Sequence, residues 1–210
     1  MFKYIFITCL LFNATAWGQY SGYKQLTNTH EFQAQFSSAN QKIQSIQCDF
    51  VQEKNLSMLT DKITSTGKFW YKRENKVRME YLTPSYYLLV INGNMIKTKD
   101  GQKQNTISAK SNKMFEQINK MVVDCVRGNV FDNKSYNIRV YENSQAYIVE
   151  LSPTAKGIQS IFKSINLSID HKDYSIIYID MREKSGDNTM IKMLHKQQNV
   201  NIADAIFSVQ

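Results

Sequence analysis

The sequence predicts a mainly β protein with some α-helix: a large antiparallel sheet, strongly curved or nearly closed, with two amphipathic helices that cover one face. Three observations lead to this fold class. Short stretches of alternating apolar and polar residues recur along most of the chain, separated by tight polar turns. Two other segments space their apolar residues with a helical period. About nine strands joined by short turns favour a curved sheet, and the helices are left to cover it.

The first 18 residues are set apart from the rest. Lys3 gives a short positive start, an apolar run follows over residues 4–12, and Ala16-Trp17-Gly18 offers small residues for cleavage before Gln19. This arrangement predicts a secretory signal peptide over residues 1–18 and one domain over residues 19–210. The alternative is a permanent membrane anchor, but the apolar run is too short to span a bilayer.

The elements of the domain follow in order. A helix is expected over residues 30–46, because Phe32, Phe36, Ala39, Ile43 and Ile46 recur at spacings of three and four. A second helix is expected over residues 112–127, with Gly128 at its end. Strands are predicted at residues 48–53, in hairpins within 67–84 and 88–98, and at 136–141, 145–151, 162–170, 175–183 and 188–197.

The hairpin within residues 67–84 is the most informative segment. Its second strand places Val77, Met79 and Tyr81 on one face and Lys76, Arg78 and Glu80 on the other, which predicts an apolar face and a wet face. On the first strand Phe69 and Tyr71 share a face and Trp70 points away. Such an apolar face suits a surface that holds an apolar ligand. Ordinary core packing explains the same pattern, and the alternation does not choose between them.

No constellation of residues for catalysis stands out. The histidines, His30, His171 and His195, lie far apart, and the sequence has no metal-ligand spacing, phosphate-binding loop or nucleophile motif. We therefore expect no cofactor, no metal site and no enzymatic activity. A secreted enzyme is the competing hypothesis, and it would require clustered polar residues in a pocket.

Charge and cysteines bear on partners and on the redox environment. The formal net charge is +8, but the Lys and Arg residues are scattered along the chain, so nucleic-acid binding is not expected. Cys48 and Cys125 remain after cleavage of the predicted signal peptide. They are compatible with a disulfide or with two separate buried thiols, and the sequence leaves both open.

Several motifs stand in a characteristic order. They are Phe50 and Gln52 in one strand, then Gly67, Phe69, Trp70, Lys72, Arg73 and Asn75, then Pro84, and then the Asn92-Gly93 turn. In these motifs the chain resembles the periplasmic outer-membrane lipoprotein carrier proteins, the LolA family. The resemblance is dense over residues 43–94, and residues 201–209 are similar to the family's closing strand.

The resemblance implies an incomplete antiparallel β-barrel, covered by a lid of helices that encloses a hydrophobic cavity. It implies a periplasmic carrier that binds the acyl chains of lipoproteins and shuttles them from the inner to the outer membrane. The partners would be acylated lipoproteins, an inner-membrane lipoprotein-releasing ABC transporter complex and an outer-membrane acceptor, and the carrier would be a monomer. The alternative is a carrier or sensor for another lipid or lipid-linked product on the same fold.

The resemblance also singles out residues. Arg73 matches the family's arginine whose hydrogen bonds to the lid control its opening; without the resemblance, it would be an exposed arginine in a turn. The expected lipid-binding residues are Phe50, Phe69, Tyr71, Val77, Met79 and Tyr81 on the sheet and Phe115, Ile118, Met121 and Val122 on the lid.

Overall fold

A computed structural model describes residues 20–73, 75–108 and 113–208, and for residues 113–119 it describes the backbone alone. The predicted signal peptide lies outside these residues. In the part of the chain that is described, no helix is long and apolar enough to cross a membrane.

Within the residues that the structure describes, twelve strands form a single sheet. They are β1 (Lys24–Gln25), β2 (Ser45–Asn55), β3 (Ile63–Lys72), β4 (Lys76–Thr83), β5 (Tyr87–Asn92), β6 (Met95–Asp100), β7 (Lys103–Ser108), β8 (Tyr136–Glu142), β9 (Ala146–Pro153), β10 (Phe162–Asp170), β11 (Ile176–Glu183) and β12 (Asn188–Gln198). About nine were predicted. The additional ones include β1 and β7, which are short or polar and alternate too weakly to be recognised.

The sheet consists of two meanders joined by one long pairing. Strands β2 to β7 follow one another across the sheet, as do β8 to β12, and β12 pairs with β2 to connect the two halves. Every pairing between neighbouring strands is antiparallel. Among the described residues, the terminal strands β1 and β7 each pair with one neighbouring strand, so the sheet is not closed. This architecture confirms the predicted fold class.

Two helices cover the concave face of the sheet. Helix α1 spans His30–Gln41 and helix α2 spans Lys113–Arg127, and a short α3 (Lys156–Gln159) follows β9. The predicted first helix was too long. The backbone N–H of Ile43 donates to the Asn40 carbonyl oxygen at 3.1 Å, which tightens the last turn. The chain then enters β2 at Ser45, and Ile46 becomes a strand residue.

The core under the helices has two parts. One contains Phe32 and Phe36 of α1 packed over β8 to β10. The other contains Ile43 and Val126 packed over residues of β2 to β6, including the fully buried Phe50 and Tyr71. The two parts meet beneath α2, where Val122 and Met181 contact both.

The convex face of β3 to β5 is covered by the C-terminal segment, residues 199–208. Ile202 and Phe207 are buried there against Leu88 and Val90, with Trp70 packed beside them. Two predictions are thereby corrected. The supposedly wet face, with Lys76, Arg78 and Glu80, is largely covered, since their side chains are 16–18% exposed. The described part of the predicted closing strand is instead a 3₁₀ turn, Asp204–Phe207, so it adds no strand to the sheet.

Candidate functional site

Helices α1 and α2 together form the lid over the concave face. The end of α2 lies directly against α1 at Gly128, which has a φ of +77°. A Cβ atom at Gly128 would lie 2.7 Å from the Cα atom of Ser37 and 3.1 Å from the carbonyl oxygen of Phe36. Only glycine allows both this backbone conformation and this close approach. The predicted helix stop is therefore also the contact at which the two lid helices meet.

A cavity of about 170 Å³ lies between the lid and the sheet. Its lid wall consists of Asn40, Ile43, Met121, Val122, Cys125 and Val126, and its sheet wall of Ile46, Cys48, Phe69 and Met79 on one side and Leu167, Ile176, Ile179, Met181, Ile191 and Met193 on the other. Six of these residues carry sulfur, and the Cys48 thiol lies 3.6 Å from the Met193 thioether. Thioethers are flexible and polarisable, so this wall can adapt to ligands of varied shape.

Four polar residues also border the cavity: Asn40, Ser175, Lys196 and Gln198. The Asn40 side-chain amide donates to the Phe36 carbonyl oxygen at 2.8 Å and to the Tyr174 carbonyl oxygen at 3.3 Å. This bridge holds the end of α1 against the turn between β10 and β11. Burial lowers the pKa of the Lys196 ammonium, because desolvation disfavours its charged form.

The structure brings some of the predicted lipid-binding residues to the cavity wall. Those that line it are Phe69, Met79, Met121 and Val122. The side chains of Phe115 and Ile118 lie outside the described part of the structure.

The remaining four, Phe50, Tyr71, Val77 and Tyr81, belong to the adjoining core cluster rather than to the cavity wall. The Phe50 ring covers Gly67, where a Cβ atom would lie 2.6 Å from Phe50 Cζ. The ring also meets the Tyr81 ring edge to face, with centroids 5.0 Å apart, and the Tyr81 hydroxyl donates to Gln52 at 2.9 Å. These contacts fill the space that a ligand would need.

Arg73 joins the end of β3 to the end of α1. Its Nε donates to the Ile43 carbonyl oxygen at 2.7 Å, and its Nη2 donates to the Gln41 carbonyl oxygen. Its backbone N–H donates to the Gln44 carbonyl oxygen at 2.8 Å. A rigid guanidinium fork suits two adjacent carbonyl acceptors, and the end of a helix leaves such carbonyls without partners. The structure therefore places Arg73 as a link between the sheet and the lid.

The two thiols are free and both border the cavity, Cys48 from the sheet and Cys125 from the lid. Burial raises the pKa of the Cys48 thiol to about 12 and that of Cys125 further still. Neither thiol is therefore activated as a nucleophile. Within the described residues, no group of three or more His, Cys, Asp or Glu side chains is placed to hold a metal ion.

Sequence reasoning missed the β10 to β12 part of the wall. The alternation of Ile191 and Met193 with Lys192 was visible in the sequence, but nothing in it indicated which face would meet the lid. Lys196 and Gln198 were not identifiable at all, because they reach the cavity only through an irregularity in β12, at His195.

Comparison of the sequence with models of known protein families assigns the chain to one of them. The sequence model described as "Outer membrane lipoprotein carrier protein LolA" matches residues 41–210. The chain belongs to this family. LolA membership indicates a carrier-like periplasmic protein that binds lipid or lipoprotein, and the LolA fold is typically non-enzymatic. No curated protein matches this LolA-family chain in sequence.

Solved structures share the fold at low sequence identity. An uncharacterized conserved protein from Thermus thermophilus has a TM-score of 0.52 and 10% identity, over 86% of this chain and 93% of that chain. The MucA/MucB complex of Pseudomonas aeruginosa gives a TM-score of 0.51 and 14% identity, over 86% of this chain and 60% of that chain. A LolA superfamily protein from Nitrosomonas europaea has a TM-score of 0.48 and 9% identity, over 88% of this chain and 99% of that chain.

Proposed function

We propose that this LolA-family chain is a periplasmic carrier that takes the acyl chains of lipoproteins into the cavity beneath the lid. It would carry them from the inner to the outer membrane. The observation that carries this proposal is the adaptable apolar cavity between α1, α2 and the sheet. Each CH₂ group kept out of water is worth about 0.8 kcal/mol, so a soluble carrier of acyl chains has to enclose them.

The lid has to move for this function. Ligand pockets usually have volumes of roughly 300–1,000 Å³, whereas the cavity encloses about 170 Å³. The described conformation is therefore a closed one. On opening, the acyl chains would contact Phe69, Met79, Met121 and Val122 first. Phe50, Tyr71, Val77 and Tyr81 would follow as the adjoining cluster separates, and Phe115 and Ile118 are proposed contacts on α2.

Arg73 is the proposed latch of the lid. Its two side-chain hydrogen bonds, to Gln41 at the end of α1 and to Ile43 just after it, connect two elements that must separate when the cavity opens. Hydrogen bonds from a charged donor contribute about 1.5–3 kcal/mol each. Energies of this size bias the lid towards closure and still allow it to open, as a carrier that must release its cargo requires.

We expect cleavage after residue 18, export to the periplasm and a monomeric carrier. The cargo would come from an inner-membrane lipoprotein-releasing ABC transporter complex and pass to an outer-membrane acceptor.

A second candidate is a carrier or sensor for another lipid or lipid-linked product. A similar fold occurs in the MucA/MucB complex, whose proteins carry no lipoprotein-carrier name, and this favours keeping a role other than lipoprotein shuttling. The material that co-purifies with the protein distinguishes the two. Mass spectrometry of protein isolated from the periplasm should show acylated proteins if the carrier proposal is correct. Free lipids or lipid-linked products alone would favour the second candidate, and recovery of neither acylated protein nor lipid would contradict both.

The latch is tested by Arg73→Leu, with Arg78→Leu as the matched control. Arg78 lies on the same hairpin, but it binds Glu80 and the Ile206 carbonyl oxygen on the convex face. We expect Arg73→Leu to accept acylated lipoproteins and to pass them to outer-membrane vesicles at least tenfold more slowly. The hydrogen bonds of Arg73 stabilise the closed, empty carrier, so their loss removes part of the free energy that favours release of the cargo. Arg78→Leu should transfer at the normal rate. Normal transfer by Arg73→Leu would remove Arg73 from the mechanism.

A further inference from the structure

Strand β12 changes the face that it presents to the cavity near its end. Ile191 and Met193 line the cavity, and Lys192 between them is exposed. Strict alternation would continue with residues 195 and 197 inside and residue 196 outside. The pairing with β2 instead shifts register between Leu194 and Gln197, and His195 has a φ of +51°.

This β-bulge reverses the two faces of the strand. His195 is turned outward, where its side chain is 80% exposed and its Nδ1 lies 2.9 Å from Asp49 Oδ2. Lys196 and Gln198 are turned inward to the cavity. A positive φ is unfavourable for a residue with a Cβ atom, and bulges commonly redirect a side chain beside a functional site. The local backbone conformation therefore brings a cation to a cavity that is otherwise apolar.

Lys196 is the one charged residue among the described residues that line the cavity. Asp170 at the end of β10 and Asp173 in the turn after it act on it electrostatically, but each carboxylate already accepts a hydrogen bond from that turn. Asp173 accepts from the Ser175 backbone N–H at 2.9 Å, and Asp170 accepts from the Lys172 backbone N–H at 2.7 Å. Among the residues that the structure describes, none forms an ion pair with Lys196.

We propose that Lys196 binds a carboxylate at the head of an acyl chain held in the cavity. The proposal rests on the function proposed above and specifies the cargo further. A partly buried ammonium without a counter-ion is unfavourable, and an entering anion would relieve this cost. Asn40 and Ser175 also border the cavity, but the Asn40 amide already donates to two backbone carbonyl oxygens and Ser175 donates to Asp173, so neither offers the carboxylate a further donor. The carboxylate has two sources: a free fatty acid, or an acidic residue next to the acylated terminus of a lipoprotein.

The first experiment measures displacement of a neutral fluorescent probe by dodecanoate and by dodecan-1-ol at pH 7.5. The two competitors share their chain length and differ in charge. For the unaltered protein we expect dodecanoate to bind about tenfold more tightly, the effect of one charge-assisted hydrogen bond. In Lys196→Met, and in the polar variant Lys196→Gln, dodecanoate should lose this preference and bind no more tightly than dodecan-1-ol, because a carboxylate without a cation is costly to bury. Lys192→Met is the matched control from the exposed face of β12, and it should keep the preference.

A second arm separates the two sources. It compares N-acylated peptides that carry either Asp or Asn after the acylated residue. A preference for Asp that Lys196→Met abolishes identifies the lipoprotein carboxylate, and a preference confined to dodecanoate identifies the fatty acid. Equal binding of charged and neutral ligands in the unaltered protein, or a preference that survives Lys196→Met, would overturn the proposal. If none of the acyl compounds displaces the probe, the carrier function itself is contradicted.

Discussion

The β3–β4 hairpin is covered on both faces, but the two covers differ in kind. On the convex face the C-terminal segment is held by charged side chains. Lys72 donates to the Ile202 carbonyl oxygen at 2.8 Å and contacts Asp204 at 2.7 Å, and Arg78 donates to the Ile206 carbonyl oxygen at 3.0 Å. On the concave face the lid lies over a cavity, and Arg73 links its α1 end to the hairpin.

The difference shows how one sheet can hold a fixed cover and a movable one. Directional hydrogen bonds along the C-terminal segment specify one position, and Ile202 and Phe207 fill the space beneath it. Apolar contacts between the lid and the sheet are non-directional, so the lid can shift while part of its apolar surface stays buried. The convex cover therefore contributes stability and the concave cover provides access to the cavity. Three variants test this division.

The largest effect is expected for Phe207→Ala, which empties the centre of the convex cover. Phe207 is 2% exposed, and truncation of a buried phenylalanine costs about 3–5 kcal/mol. The free energy of unfolding, measured with urea, should fall by about that amount. Binding of a fluorescent acyl probe, measured well below the unfolding midpoint, should stay within twofold. A large change in probe affinity would show that the two covers are coupled.

A smaller effect is expected for Gly128→Ala, which separates the lid helices. The added Cβ atom would meet the Ser37 backbone at a φ of +77°, and the cost is about 1–3 kcal/mol. We expect faster amide hydrogen exchange in the last two turns of α2 and faster modification of Cys125 by a thiol reagent. Gly101→Ala is the control, since Gly101 has a φ of +56° but open space around it. Unchanged exchange in α2 would show that the helices do not depend on this contact.

The smallest effect tests how dry the concave side is. The pKa of the Cys48 thiol is raised from 9.0 to about 12, so the folded protein retains this proton at pH values where the unfolded chain has lost it. The contribution of this thiol to the free energy of unfolding is complete below the pKa that the thiol has in the unfolded chain, and it is lost as the pH rises towards 12. Between pH 8 and pH 10 the free energy of unfolding should fall by about 1–2 kcal/mol more than in Cys48→Val. An identical fall in both would mean that water reaches the thiol.

Much of the fold was predictable because most strands alternate clearly. The alternation of residues 76–81 gave the correct division of side chains between two faces, and the helical period of 112–127 located α2 to within a residue. The segment IQCDFVQE with Gly67 was also informative, since Phe50 and Gly67 are direct partners across β2 and β3. Local patterns such as these report on neighbours in the same sheet or helix.

What could not be predicted depends on contacts between distant parts of the chain. Alternation shows that a face is apolar, but it does not show what covers that face. Trp70 and Val77 lie on opposite faces of the hairpin and both are packed: Trp70 beneath residues 199–208, and Val77 in the core cluster on the side of the lid. The bulge at His195 contains no glycine or asparagine that would indicate a positive φ. The inward position of Lys196 could therefore not be predicted from the sequence. The Gln41 and Ile43 carbonyl partners of Arg73 likewise become apparent only in three dimensions.

The sulfur atoms along the cavity have a chemical consequence of their own. Oxidation of a methionine adds an oxygen that turns a thioether into a polar, chiral sulfoxide. Met79, Met121, Met181 and Met193 all face the space where an acyl chain would lie. An oxidant that entered the open cavity would make its walls polar and would weaken the binding of an acyl chain. The same atoms that let the cavity conform to its contents thus make it vulnerable to oxidation, and a filled cavity is the better protected one.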